Sequence, residues 1–177
     1  MITAQESIDY KGRTIKMHWY ESFDFPKGIP VSQASILCLD QAHEVLLIKN
    51  QNGRYNLPGG HPEAGEKPGE VVIRELNEEA YTVAKNINLL GYIEVFDPAN
   101  TGREGTHYLQ LRYAGQLEKL EPFKGEFETV SREFASFEEL QNFLPWIKNS
   151  IGKVTLKSLE KYRNRFRLKT KNRRLCK

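Results

Sequence analysis

Apolar residues form short runs on both sides of one helical segment. Residues 31–39 and 44–49 are rich in aliphatic and β-branched side chains, which predicts two strands joined by a hairpin-like turn. Further strands are predicted at residues 13–20, 87–96, 106–117 and 129–135. The chain therefore has enough strand segments for a central sheet.

The helical segment lies between the two groups of strands. Val72, Ile73, Leu76 and Ala80 recur at helical spacing after Pro68, and this apolar stripe is expected to anchor the helix to the sheet. Two later helices are predicted at residues 137–143 and 154–166. Strands on both sides of a helix, followed by more helices, predict an α/β sandwich.

The composition is that of an ordinary globular protein. The 177 residues are 39% apolar and 28% charged, which fits one domain at residues 1–160 followed by a basic tail at 161–177. No run reaches the ~20 apolar residues that cross a bilayer, and no secretory signal is recognisable. Cys38 lies in an apolar run and is expected to be buried and unbridged. These features predict a cytoplasmic protein without membrane contact.

Charge is distributed unevenly along the chain. Residues 161–177 contain nine Lys or Arg and no Asp or Glu, so the preceding body has 17 basic and 23 acidic residues. An acidic body binds phosphates poorly unless a bound cation offsets its charge.

Three carboxylates of the predicted helix have a spacing that suits such a cation. Glu75, Glu78 and Glu79 lie at i, i+3 and i+4, within an arc of roughly 100° on one helix face. Hard oxygen ligands of this kind bind Mg²⁺ or Mn²⁺. A Glu-rich helix face is more often only solvated, and the triplet alone does not separate these alternatives.

The surrounding sequence resembles the Nudix box, Gly-x5-Glu-x7-Arg-Glu-U-x-Glu-Glu-x-Gly-U, where U is aliphatic. The matching positions are Gly60, Glu66, Arg74, Glu75, Leu76, Glu78 and Glu79. Tyr81 replaces the second glycine and Thr82 the final aliphatic residue. A tyrosine that kept the glycine's left-handed conformation would cost about 1 kcal/mol. The alternative is a longer helix with Val83 as the apolar residue, so we expect an altered helix exit with all metal ligands retained.

The resemblance implies a mixed sheet between helices and a hydrolase that uses Mg²⁺ or Mn²⁺. Glu75 and Glu79 would be the main metal ligands. Glu78 would be a further ligand or the catalytic base, and the Gly59 carbonyl would add another oxygen.

Two more residues receive catalytic roles from the resemblance. Arg74 would orient the carboxylates through charge-assisted hydrogen bonds, with Glu66 as its partner. Glu128 resembles the acidic residue that precedes the last strand, and is a second candidate for the base or a further metal ligand. Glu126 competes with it, because the base varies within this family.

Substrate contacts are predicted at Tyr55, Gly60 and Pro98. Tyr55 begins a segment similar to the family's aromatic-x-Leu-Pro-Gly-Gly motif and could stack on a base. Pro98 stands 16 residues after Thr82, similar to a proline of ADP-ribose pyrophosphatases, although a lone proline is more often a turn former. The resemblance slightly favours a nucleoside diphosphate sugar such as ADP-ribose.

The predicted reaction is hydrolysis of the pyrophosphate bond in a nucleoside diphosphate linked to another group. One alternative is removal of a 5′ pyrophosphate from RNA, whose phosphates the basic tail could bind, although such a tail is more often only solvated. Another alternative is a nucleotide-binding module without turnover, which would be expected to lack box carboxylates. Dimers occur in the family, so the resemblance also allows a homodimer.

Overall fold

A computed structural model describes the backbone of residues 1–175 and the side chains of residues 1–165. The strands are β1 (Ala4–Tyr10), β2 (Arg13–Glu21), β3 (Val31–Leu39), β4 (Val45–Asn50), β5 (Tyr55–Asn56), β6 (Gly59–Gly60), β7 (Thr82–Phe96), β8 (His107–Leu120) and β9 (Thr129–Ala135). The helices are α1 (Pro68–Ala80), α2 (Leu140–Phe143) and α3 (Ser150–Leu175), with a 3₁₀ helix at Pro145–Lys148.

These strands form one mixed sheet in the order β1-β2-β7-β8-β3-β4-β5, with β6 paired to β3 and β9 paired to β4. β3 and β8 run parallel. Alternate residues of β3 face opposite sides of the sheet, because successive side chains of a strand do so. Ile36 and Cys38 belong to the core beneath α1, whereas Leu37 and Leu39 belong to the core with α2 and α3. The predicted α/β/α sandwich with a central mixed sheet is confirmed.

Helix α1 begins at Pro68 as predicted, but its buried stripe differs from the expected one. Ile73 is 56% exposed, whereas Val71 is fully buried with Val72 and Leu76. The prediction for Ile73 was therefore wrong. The helix is rotated so that Val71 and Glu75, one turn apart, both lie against the protein.

The helix exit keeps the left-handed conformation despite the tyrosine. Helix α1 ends at Ala80, and Tyr81 has φ 49° and ψ 49°. Its ring lies 5.2 Å from the ring of Phe123, and its hydroxyl accepts a hydrogen bond from the Glu126 N–H at 2.9 Å. Burial of the ring thus offsets the backbone cost. The expected change in the helix exit, with Val83 as the apolar residue, was wrong, since Val83 is 44% exposed.

Strand β1 and the first part of α3 pack on this sandwich. The polar segment Ala4–Tyr10 forms β1, which the hydrophobic pattern did not indicate. At the other end, α3 continues without interruption across residue 160, and Tyr162 is buried in the core. The predicted burial of Cys38 is confirmed. Among the described residues, no helix is long and apolar enough to span a membrane.

Candidate active site

Arg74, near the middle of α1, binds the carboxylates around it. Its Nε and Nη2 donate to the two carboxylate oxygens of Glu66 at 2.9 and 3.1 Å. Its Nη1 donates to Glu75 at 2.8 Å and to Glu78 at 3.1 Å. The expected contact with Glu66 is therefore present in the two-pronged form that a guanidinium favours.

Gly60 gives the Glu75 side chain the room to reach this cluster. A Cβ added at Gly60 would lie 1.9 Å from Glu75 Oε1, a distance that a real Cβ does not reach. Burial is the main cause that raises the pKa of Glu75, and the Arg74 charge opposes it. The structure thus gives Gly60, predicted as a substrate contact, a steric role beside Glu75.

Glu79 connects α1 to strand β6. Its Oε2 accepts a hydrogen bond from the Gly59 N–H at 3.0 Å. Burial, followed by repulsion from Glu75 and Glu128, raises the pKa of Glu79 to about 7. The Gly59 backbone and the Glu79 carboxylate, both predicted as metal ligands, therefore lie next to each other.

The carboxylates do not converge on one point. Within residues 1–165, no three His, Cys, Asp or Glu side chains form a group arranged to hold a metal ion. Arg74 holds Glu75 and Glu78 while Glu79 turns to Gly59. The donor set nevertheless fits a hard divalent cation, because every donor is an oxygen. A cation would also stabilise the ionised forms of Glu75 and Glu79, and so would lower the pKa values that burial and repulsion raise.

A cavity of about 290 Å³ opens beside Glu79. It lies near the split between β3 and β4, which pair only at Leu39 and Val45. The residues that line it are Gln33, Ser35, Ile48, Asn50, Asn56, Leu57, Gly59, Glu79, Arg112, Glu128, Thr129 and Trp146. Glu79 and Glu128 thus share one cavity although they lie in different parts of the chain.

Hydrogen bonds join the start of β9, which follows Glu128 directly in sequence, to the end of α1. The Thr129 hydroxyl donates to the Glu79 carbonyl at 2.7 Å. Arg132 donates to the carbonyls of Ala80 and Tyr81, at the end of the helix, where carbonyls have no acceptor role within the helix itself. Glu126, the competing candidate, is not among the residues that line the cavity.

The structure places two predicted substrate contacts elsewhere. The Tyr55 hydroxyl donates to Glu133, and its ring packs 4.8 Å from the ring of Phe143. Pro98 is exposed in the turn after Asp97, whose carboxylate pairs with Arg13. Neither residue lines the cavity described above, and their contact with substrate stays a prediction. The Tyr55 side chain thus contacts strand β9 and helix α2, and Pro98 lies in a turn.

The sequence analysis did not identify several residues that line the cavity, above all Ser35, Arg112 and Trp146. Arg112 lies in β8 between Leu111 and Tyr113, both buried, and Ser35 lies in the largely buried β3. A charged residue in the middle of a buried strand is a signal that a polar site lies there. Which residues face one another, however, depends on strand register.

Comparison with known proteins assigns the family. The model of the NUDIX domain matches residues 29–156, which is more than half of the chain. The chain belongs to the NUDIX family. An ADP-ribose pyrophosphatase of Methanocaldococcus jannaschii is 40% identical over 57 residues, covering 30% of this chain and 34% of that protein. The match thus spans about a third of the archaeal relative's length.

Solved structures of NUDIX proteins share the fold. The Bacillus subtilis pyrophosphohydrolase BsRppH has a TM-score of 0.65 and 25% identity, covering 89% of this chain and 97% of that one. The NUDIX domain of Shewanella oneidensis NrtR, solved with ADP-ribose, has a TM-score of 0.54 and 15% identity, covering 77% and 88%. These NUDIX relatives include pyrophosphohydrolases and an ADP-ribose-binding domain.

Proposed function

We propose that this NUDIX protein hydrolyses the pyrophosphate bond of a nucleoside diphosphate linked to another group, with ADP-ribose as the first substrate to test. The proposal rests on the position of Glu79, which borders the cavity and accepts a hydrogen bond from the Gly59 N–H. On the same helix, Arg74 binds Glu66, Glu75 and Glu78, a group that we call the Arg74 cluster. The partial match to an ADP-ribose pyrophosphatase supports the choice of substrate.

The carboxylates of Glu75, Glu78 and Glu79, with the Gly59 carbonyl, would hold Mg²⁺ or Mn²⁺. A divalent ion bound there would neutralise the diphosphate and lower the pKa of a water molecule. Arg74 orients the carboxylates of Glu75 and Glu78 by donating a hydrogen bond to each. Glu128 reaches the same cavity as Glu79 and would accept the proton of the attacking water.

Hydrolysis of a substrate panel tests the proposal. The panel contains ADP-ribose, diadenosine polyphosphates, nucleoside triphosphates and 5′-triphosphorylated RNA, each with Mg²⁺ or Mn²⁺. We expect release of a mononucleotide from ADP-ribose, reduced about 1,000-fold in Glu79→Gln because a ligand and its charge are lost. Glu160→Gln, at an exposed position of α3, is the matched control and should keep full activity.

Two results would contradict the proposal. Tight nucleotide binding without turnover of any substrate would indicate a binding module. Equal activity of Glu79→Gln and Glu160→Gln would show that the box carboxylate has no role in hydrolysis.

The RNA alternative depends on the basic segment after residue 160. Its first charges contact the body: Lys161 pairs with Glu21 at 2.8 Å, and Arg163 and Arg165 lie over the rings of Phe137 and Phe23. The candidates Arg167, Lys169, Lys171, Arg173 and Arg174 lie outside the described side chains. Deletion of residues 166–177 separates the alternatives, because RNA binding through this segment would weaken and lose salt dependence.

A further inference from the structure

Arg112 projects into the cavity that Glu79 and Glu128 border, yet it forms no ion pair within residues 1–165. Its two hydrogen bonds, to the Leu111 carbonyl and the Gln110 side chain, are both 3.4 Å long. Its Nε is buried without a hydrogen-bond partner. A half-buried guanidinium whose Nε has no acceptor is costly unless something else binds it.

A second unmet polar group lies beside Arg112. Ser35 of β3 pairs with Arg112 of β8 in the register of the two parallel strands. Ser35 is only 4% exposed, lines the cavity, and its hydroxyl has no hydrogen-bond partner. Two neighbouring donors on adjacent strands therefore have no acceptor among the described residues.

Trp146 lies next to this pair. Its ring centroid is 5.8 Å from the guanidinium carbon of Arg112, and the ring also lines the cavity. It comes from the 3₁₀ helix, far from both strands in sequence. A partly exposed indole offers a flat apolar surface next to the positive charge.

We infer that Arg112 and Ser35 bind a phosphate group of the substrate, with Trp146 packed beside it. The guanidinium fork and a hydroxyl are donors that suit phosphate oxygens. The positive charge of Arg112 would offset part of the repulsion between this phosphate and the carboxylates of Glu79 and Glu128, which border the same cavity. The choice of a nucleotide rests on the proposed function.

Nucleotide binding without metal tests the inference separately from hydrolysis. The chain has two tryptophans, and Trp19 is fully buried, so ADP should change the fluorescence of Trp146. Trp146→Phe identifies that signal. In EDTA we expect Arg112→Gln to weaken ADP binding about 30-fold, with Arg112→Lys intermediate, as loss of charged hydrogen bonds predicts. Adenosine, without phosphate, should bind all variants equally weakly.

Controls and kinetics complete the test. Lys157→Gln removes one exposed charge from α3 and should leave ADP affinity unchanged. With a hydrolysed substrate, Arg112→Gln should raise KM much more than it lowers kcat, because the contact is present before the reaction. Ser35→Ala should weaken ADP binding about threefold, the effect of one neutral hydrogen bond.

The outcomes separate the two proposals. Binding of ADP that depends on Arg112, in a protein that hydrolyses nothing, would support the phosphate site and contradict the proposed function. Equal ADP affinity in wild type, Arg112→Lys and a folded Arg112→Gln would overturn the phosphate site. A wild-type protein that binds neither ADP nor pyrophosphate, with or without Mg²⁺, would overturn it as well.

Discussion

Two arginines at the candidate site have opposite surroundings. Arg74 binds three carboxylates, and the hydrogen bonds to Glu66 are the largest cause of the raised pKa of its guanidinium. Arg112 has no carboxylate partner within residues 1–165, and burial lowers the pKa of its guanidinium to about 10. Both remain protonated at neutral pH.

The difference indicates different tasks for the same residue type. Arg74 has satisfied donors, so it contributes to the folded structure and holds the carboxylates in position. Arg112 costs free energy in the unliganded protein, and an anion bound in the cavity would satisfy it. The comparison predicts that substitution of Arg74 lowers the stability of the fold, whereas substitution of Arg112 lowers the affinity for an anionic ligand.

The largest effect on stability is expected from Arg74→Met. It leaves the partly buried Glu66 and Glu75 without their counter-charge, so the free energy of unfolding should fall by about 2–4 kcal/mol. Urea unfolding measures it. Arg54→Met, in the exposed turn before β5, is the control. A loss no greater than that of the control would mean that the cluster is only a surface feature.

The second effect is a dependence of the free energy of unfolding on pH in the metal-free protein. The pKa of Glu79 is about 7 in the folded chain, above the unfolded value of about 4.3. Between about pH 4.3 and pH 7 the folded protein therefore holds a proton on Glu79 that the unfolded chain has lost. The stabilisation that this proton gives to the folded state is lost as pH rises through 7. Between pH 5.5 and 8 we expect a loss of about 1–2 kcal/mol in EDTA.

Glu79→Gln checks the origin of this pH dependence. Glutamine keeps an acceptor for the Gly59 N–H but cannot titrate, so its stability should change less over the same range. Thermal unfolding across pH compares the two proteins. Parallel curves for wild type and variant would assign the pH dependence to other groups.

A smaller effect is expected from Gly60→Ala, which disturbs the Arg74 cluster indirectly. The new Cβ would displace the end of the Glu75 side chain from Arg74, at a cost of about 1–2 kcal/mol. Activity should fall with it, because Glu75 is a proposed metal ligand. Gly69→Ala is the matched control, since nothing lies within 4 Å of its added Cβ. Equal stability and activity of the two variants would contradict the steric role of Gly60.

The smallest effect on stability is expected from Arg112→Met. Methionine removes the unpaired charge that costs free energy, so the free energy of unfolding should not fall and is expected to rise by up to about 1 kcal/mol. Chemical unfolding without nucleotide measures it. A loss as large as that of Arg74→Met would show that Arg112 is a structural residue, and the contrast between the two arginines would disappear.

Local sequence was informative where local geometry decides the outcome. Helix α1 begins at Pro68, and Arg74 meets Glu78 because residues one turn apart share a helix face. The strands within the apolar runs were predicted because those runs are rich in aliphatic and β-branched residues. Strand β1 was not, because its residues are mostly polar and exposed at the edge of the sheet.

Tertiary packing decided the features that local sequence does not encode. Tyr81 has a glycine-like conformation because Phe123 and Phe127 surround its ring. Tyr55 binds Glu133, which is 78 residues away, so the local motif could not show where its side chain points. Each case is settled by partners that are distant in sequence.

The amino-acid sequence by itself determined the spacing of the box carboxylates and their arginine, because a helix brings residues one turn apart together wherever it lies. Only the tertiary structure placed Ser35, Arg112 and Trp146 around one cavity with Glu79 and Glu128. That grouping depends on the register between β3 and β8 and on the packing of the 3₁₀ helix. Long-range packing also leaves Arg112 without an acidic partner among residues 1–165, and so makes it the candidate for binding phosphate.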